Sequence, residues 1–179
     1  MRDGVLGCPT CASERAVRGG VVRWRDDLPM AEAPAADAEE AAMRAAALLG
    51  LAEGQVPYAI AGPAGVLATQ LAGLADAPLV LLDPPDDALA GLVTIVRGAP
   101  WAPFAAGALR GLLFSGPRVS AEAVARSVPA LVTGGRVVAP AAVAVPAGVR
   151  ELARDAEEWV GEWTGAAVTV PLARARRPG

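Results

Sequence analysis

Residues 56–83 read Val-Pro-Tyr-Ala-Ile-Ala-Gly-Pro-Ala-Gly-Val-Leu-Ala-Thr-Gln-Leu-Ala-Gly-Leu-Ala-Asp-Ala-Pro-Leu-Val-Leu-Leu-Asp. Up to Leu82 the only polar side chains are Tyr58, Thr69, Gln70 and Asp76, so length and hydropathy alone would allow a membrane span. The punctuation argues otherwise. Pro57, Pro63 and Pro78 divide the stretch, Gly62 and Gly65 form a Gly-Pro-Ala-Gly turn, and Asp76 at a bilayer centre would cost about 2.5 kcal/mol or more. The stretch therefore reads as strand, turn, helix, turn, strand. Tyr58–Ala61 is the first strand. Leu67, Leu71 and Leu74 recur at i, i+4 and i+7 on one helix face. Leu79–Leu82 is an unbroken apolar run of the kind buried on both faces of a parallel sheet, stopped by Asp83 before Pro84 and Pro85. The run from Val137 to Val149 is shorter and broken by Pro140 and Pro146, so it spans nothing either.

The same alternation extends outward. Upstream, Asp37 as N-cap, Glu40 at the third helical position and Gly50 as the stop predict a helix. Downstream, Leu92–Val96 and Gly111–Phe114 read as strands, and Ser120 caps a helix with Val124, Val128 and Leu131 on one face. Gly134-Gly135 then turns into a strand over Arg136–Ala139. A helix is expected from Val149 to Trp163 with Leu152, Ala156, Trp159 and Trp163 on one stripe, followed by a last strand at Val168–Leu172. Strands alternating with helices imply an α/β fold with a doubly wound, mainly parallel, Rossmann-like sheet, because parallel neighbours need crossover connections. Ligands of such sheets bind beyond the carboxyl ends of the strands where strand order reverses. That rule puts the Gly62–Gly65 turn beside Asp83.

Composition narrows the chemistry. The chain has 179 residues, 54% of them hydrophobic and 20% charged, enough to bury a real core and too apolar for a disordered chain. With 16 basic residues, all arginine, against 19 acidic ones, the net charge is −3, which offers no electrostatic footprint for nucleic acid. Arg174, Arg176 and Arg177 read as a solvated tail. Histidine is absent, which removes Ser-His-Asp and Cys-His catalysis, His-ligated metals and any imidazole base. The tryptophans read as packing residues, and Glu157 and Glu158 as a solvated face. Met1-Arg2-Asp3-Gly4 leads on without an apolar signal region, so the expected location is cytoplasmic.

Residues 1–30 are rich in glycine and arginine, with β-like pieces around Val21-Val22-Arg23-Trp24, and form a small unit of their own. Residues 29–36 carry two prolines and no period, placing a linker at 31–36 before an α/β domain over 37–179. Cys8 and Cys11 stand as Cys-Pro-Thr-Cys, a spacing that suits two thiolate ligands of a zinc ion. A closed site needs four ligands, so zinc would require carboxylates such as Asp26 or Asp27, a second chain or a partner. The alternative is a knuckle that keeps its turn through Pro9 and backbone hydrogen bonds without metal. A redox pair fits less well, because the cysteines precede the α/β region instead of opening a helix after a central strand.

The order of pieces from Ala45 to Arg154 resembles the class I S-adenosylmethionine-dependent methyltransferase domain. The resemblance is carried by Ala-Gly-Pro-Ala-Gly at 61–65, Leu-Leu-Asp at 81–83, Arg-Gly-Ala-Pro-Trp-Ala-Pro-Phe at 97–104 and Val-Thr-Gly-Gly-Arg-Val-Val at 132–138. Residues 4–24 similarly resemble a Trm112-type zinc-ribbon segment, a β unit that accompanies or activates methyltransferases. The resemblance implies S-adenosylmethionine as cofactor, held by Gly62, Gly65 and Asp83, with zinc at Cys8 and Cys11. A glycine turn lets backbone N–H groups approach the cofactor carboxylate, and an acid at the end of the next strand accepts hydrogen bonds from the ribose hydroxyls. Asp83 can also be read as no more than a turn residue ahead of Pro-Pro.

The departures shape the functional expectation. The family's first motif normally opens with an acid and carries three glycines, whereas Ala59-Ile60-Ala61 has no acid and Pro63-Ala64 lies between two glycines. Arg97-Gly98-Ala99 lacks the acid expected near the adenine, and Leu109-Arg110-Gly111 brings none to the next strand. Charge-assisted hydrogen bonds contribute about 1.5–3 kcal/mol each, so losing several argues against cofactor binding. The expectation is a non-catalytic, methyltransferase-like protein that acts through a protein partner or its own copies, without nucleic acid or membrane. The alternatives are an active methyltransferase with an atypical glycine motif and no identifiable base, and a nucleotide-binding module unrelated to methylation.

Overall fold

The computed structural model describes residues 4–7, 14–19, 21–23, 37–84, 93–98 and 103–165. In chain order the elements are β1 (Gly4–Gly7), β2 (Glu14–Arg18), β3 (Val21–Arg23), α1 (Ala38–Leu49) and β4 (Tyr58–Ala61). A 3₁₀ segment, Gly62–Leu67, then runs into α2 (Ala68–Leu74), β5 (Leu79–Leu82) and β6 (Thr94–Arg97). After β7 (Leu109–Phe114) come α3 (Ala121–Ser127), a 3₁₀ turn at Val128–Ala130, β8 (Leu131–Pro140), β9 (Val149–Arg154) and β10 (Glu158–Trp163).

The strands form one mixed sheet in the order β1-β2-β3-β6-β5-β4-β7-β8-β10-β9. Its centre, from β3 through β6, β5, β4 and β7 to β8, is parallel. Both ends are antiparallel. The N-terminal strands are hydrogen-bonded into this sheet through β3, where Val21 faces Ile95 and Val22 faces Val96. Side chains alternate between two core layers, as a pleated strand requires. Ala59, Val80, Leu82, Val96, Leu112 and Phe114 pack on one face with Val124 and Val128 of the α3 region. Tyr58, Ile60, Leu79, Leu81, Ile95 and Leu113 pack on the other with Ala42, Ala45 and Leu49 of α1 and Leu71 of α2. Helices thus cover both faces, which is the doubly wound arrangement.

Local signals explain several elements. Asp37 accepts from the N–H groups of Glu39 and Glu40, and Gly50 closes α1 in the left-handed region at φ 59°. Ser120 caps α3 by accepting from Ala123 N–H. Pro63 fixes the start of the 3₁₀ segment, so the turn after β4 is tighter than an α-helical start. The buried Tyr58 hydroxyl donates to Gly50 O and accepts from Ala52 N–H, both at 3.2 Å, tying the end of α1 to the start of β4.

Five expectations are corrected. The helix expected over Val149–Trp163 is the β9–β10 hairpin: Trp159 and Trp163 are buried at alternate positions of a strand, while Leu152 is exposed. Gly134-Gly135 lies inside β8, where Leu131 faces Leu109 and Arg136 faces Gly111, so the residues between bulge out instead of turning. Leu131 opens that strand and does not extend α3. Leu74, expected on the buried stripe with Leu67 and Leu71, is 51% exposed because α2 ends there. The strand expected at Leu92–Val96 runs over Thr94–Arg97, with Leu92 outside the described residues. Residues 168–172 and the 31–36 linker also lie outside the described residues. Among the described residues no helix is long and apolar enough to cross a membrane.

Candidate functional site

From β4 the chain winds outward to β5 and β6, then crosses back to β7 on the other side of β4, so strand order reverses between β4 and β7. The carboxyl ends of β4, β5, β6 and β7 are therefore the place to look for a site.

Gly62 and Asp83 follow directly on the end residues of β4 and β5, and because Ala61 faces Leu82 across the ladder they stand side by side. Gly65 is buried further along the 3₁₀ segment. Asp83 is the one non-glycine among the described residues with positive φ, at 48°. Aspartate tolerates this left-handed conformation better than most side chains, at some conformational cost. Its N–H donates to Val96 O at 2.9 Å. Its Oδ1 accepts from Gly98 N–H at 2.6 Å, joining the tips of β5 and β6. Among the described residues this is the one hydrogen bond that the carboxylate accepts. Burial pushes the Asp83 carboxyl above the ordinary carboxylate range, countered in part by the Gly98 N–H and by the Arg97 guanidinium. Arg97 is itself buried and donates to Pro84 O.

The β4–β7 side of the crevice is different. Ser115, the residue after β7, donates its hydroxyl to Ala61 O at 2.8 Å, and its N–H reaches the same carbonyl at 3.1 Å. Ser115 Oγ in turn accepts from Ala64 N–H at 2.8 Å. A Cβ on Gly62, where φ is 81°, would stand 2.4 Å from Ser115 O, and a Cβ on Gly116, where φ is 90°, would stand 2.8 Å from Cδ of Pro63. Only glycine at these two positions lets the tips of β4 and β7 close on each other. One amide of the glycine turn, Ala64 N–H, is thus satisfied by the protein.

The sequence reading brought Gly62 and Asp83 to one end of the sheet and missed Ser115. Its signal was the Phe-Ser-Gly-Pro break after the strand, a hydroxyl and a glycine at a carboxyl end. Cys8 and Cys11, with Asp26 and Asp27, lie outside the described residues, as do Trp24 and residues 99–102. Among the described residues no group of three or more Cys, Asp or Glu side chains could hold a metal ion.

No protein-family model matches the chain, and no curated protein matches it. Solved structures do. A geranyl diphosphate methyltransferase in complex with GPP and sinefungin aligns over 55% of this chain at 16% identity, with a TM-score of 0.47. The geranyl diphosphate C-methyltransferase of Streptomyces coelicolor A3(2) aligns over 55% at 17% identity, with a TM-score of 0.44. The matched regions span 43% and 42% of those two proteins. A putative S-adenosyl-L-methionine-dependent methyltransferase of Methanococcus maripaludis aligns over 73% of this chain and 86% of its own length, at 15% identity and a TM-score of 0.51. That last likeness establishes the fold: the chain has the Rossmann-like α/β fold found in S-adenosylmethionine-dependent methyltransferases.

Proposed function

We propose that this protein is a non-catalytic, methyltransferase-like domain that acts through protein contacts. The observation that carries the reading is the closure of the β4–β7 crevice by Ser115, whose hydroxyl occupies both Ala61 O and Ala64 N–H. S-adenosylmethionine has two halves, and the residues at the sheet end suit only one. Asp83 suits the ribose, since a carboxylate at the end of the second strand accepts from sugar hydroxyls. The glycine turn suits the amino-acid arm less well, because its Ala64 N–H is already engaged by Ser115 and Pro63 packs against Gly116. Catalysis has little else to use. The chain has no histidine, and at the tips of β4 to β7 the one carboxylate among the described residues is Asp83, held by Gly98. Methyl transfer needs in-line positioning more than a base, and positioning is what the closed crevice denies.

Calorimetric titration with S-adenosylmethionine tests this. The expected result is no heat at millimolar ligand. Micromolar binding that weakens in Asp83→Ala overturns the reading and favours an active methyltransferase with an atypical glycine motif. The resemblance of residues 4–24 to a zinc ribbon would give Cys8 and Cys11 as two of the four ligands that a closed zinc site needs, against a knuckle that keeps its turn without metal: near-stoichiometric metal in purified protein, lost in Cys8→Ser, selects the zinc site, and metal-free protein selects the knuckle.

A further inference from the structure

The chain leads from Gly50 into β4 and from Leu74 into β5, so the C-terminal ends of α1 and α2 meet at the amino ends of these strands, opposite the Asp83 tip. There they leave a groove of about 310 Å³ lined by Met43, Ala46, Ala47, Gly50, Leu51 and Leu74. Met43 and Leu74 are 52% and 51% exposed, two large apolar side chains left facing water. Glu53 and Asp76, both exposed, follow in the two connections, which are tied together where Gly54 N–H donates to Asp76 O at 3.1 Å. No basic residue stands between Arg44 and Arg97 in the sequence. Arg44 itself is bonded to Asp155 and Glu158, and Arg136, beside Gly50, donates to Ala47 O and Leu48 O. The carbonyl ends of the helices add partial negative charge. The groove is therefore apolar within and acidic at its rim.

Residues 166–179, outside the described residues, read Ala-Ala-Val-Thr-Val-Pro-Leu-Ala-Arg-Ala-Arg-Arg-Pro-Gly. Val168, Val170 and Leu172 alternate, so an extended segment would carry them on one face, with Arg174 and Arg176 continuing the series. Pro171 has no N–H to give a sheet ladder, which favours packing on helices over joining an edge. We propose that this segment docks in the α1–α2 groove of its own chain, with its apolar residues on Met43 and Leu74 and its arginines at the acidic rim. Gly165 stands within reach. A Cβ on it would lie 3.2 Å from Thr133 Oγ1, and the guanidinium of Arg136, three positions along β8, lies 3.2 Å from where a Cβ on Gly50 would begin. The seven residues from 166 to 172 span about 23 Å when extended, more than the step of about 10 Å from Thr133 to Arg136 plus one arginine side chain.

Limited trypsin digestion of the full chain, read by mass spectrometry, tests this through cleavage after Arg174 and Arg176, with cleavage after the exposed turn residue Arg118 as internal reference. Cleavage tracks the undocked population, so it is expected to be about tenfold faster than in wild type both in Leu172→Gln and in the double variant Met43→Gln, Leu74→Gln. Both groove positions are surface sites, so the urea midpoint of the double variant and its cleavage after Arg118 should match wild type. Glu53→Gln combined with Asp76→Asn, which leaves the apolar lining intact, should give a smaller increase. Equal cleavage in wild type and all variants overturns the proposal. Faster cleavage in Leu172→Gln alone overturns it as well, since the segment then packs elsewhere. Protection that fades on dilution, with dimers in sedimentation, replaces it with docking of the segment from a second copy. The groove and the Asp83 tip lie at opposite ends of the sheet, so none of these outcomes depends on whether S-adenosylmethionine binds.

Discussion

At the scale of single residues, Asp83 and Ser115 make opposite kinds of demand. Asp83 combines a left-handed backbone, partial burial and a carboxyl raised above its ordinary value of 3.8. A carboxyl raised on folding adds stability below its unfolded pKa and loses it as pH climbs through the folded one, so at neutral pH ionised Asp83 weighs against the fold. Asparagine keeps an acceptor for Gly98 N–H and tolerates positive φ. Asp83→Asn is therefore expected to resist urea at pH 7 at least as well as wild type, with its relative advantage fading below pH 4; a clear loss at pH 7 would contradict the burial argument. Ser115 stabilises instead. Ser115→Ala leaves Ala64 N–H without its partner and should lower unfolding free energy by about 1–2 kcal/mol, read as a shift of the urea midpoint with unchanged slope. Asp83 was legible because strand ends and prolines are local. Ser115 was not, because its meaning comes from Ala61, 54 positions away.

At the scale of elements, the two ends of α1 and the β9–β10 hairpin show what local signals decide. Capping residues fixed α1, and Arg136 completes it by donating to Ala47 O and Leu48 O at 3.1 and 3.2 Å. The hairpin was misread because Glu-Leu-Ala-Arg-Asp-Ala-Glu-Glu has high helix propensity, which pairing with β8 overrides. Its turn was nevertheless written in the sequence. Asp155 Oδ1 accepts from the N–H groups of Glu157 and Glu158, an Asx-type turn, and Arg44 of α1 bonds Asp155 and Glu158. These hydrogen bonds, with the Glu158 and Glu157 amides foremost, hold the Asp155 carboxyl down to about 2. A depressed carboxyl contributes stability above its unfolded pKa and loses it as pH falls through the folded value. Acid unfolding should therefore steepen between about pH 4 and pH 2, and Asp155→Asn should remove that component; identical acid profiles would sink the assignment. The outer edge carries its own protection. Val160 faces Ala153 while Gly161 faces Glu151, so Leu152 is an extra residue that bulges β9. Bulged, charged edges resist pairing with other sheets. Deleting Leu152 should flatten that edge and produce concentration-dependent association in light scattering.

At the scale of the whole molecule, one sheet joins everything described, and that continuity bears on whether the first 30 residues stand apart. Glycine and arginine richness with a proline-bearing linker suggested a separate unit, a reading made from composition. Register is invisible to composition: β3 lies parallel to β6, Val22 is 3% exposed within the layer that also holds Val96 and Trp159, and Val21 is 8% exposed within the opposite layer. A strand that contributes to both layers should be coupled energetically to the far end of the sheet. Removing two methyl groups in Val22→Ala deletes about 1.6 kcal/mol of transfer free energy, with a further cavity term that brings the loss to about 2 kcal/mol. Trp159 and Trp163 sit in β10, beyond the opposite side of the parallel centre. With Trp24 and Trp101 replaced by phenylalanine, their fluorescence reports that end alone. In a cooperative sheet, Val22→Ala lowers the urea midpoint of this signal together with that of the circular dichroism. An unchanged fluorescence midpoint beside a shifted dichroism midpoint would mean that residues 1–30 unfold as a unit of their own, and that β3 pairs with β6 without sharing its stability.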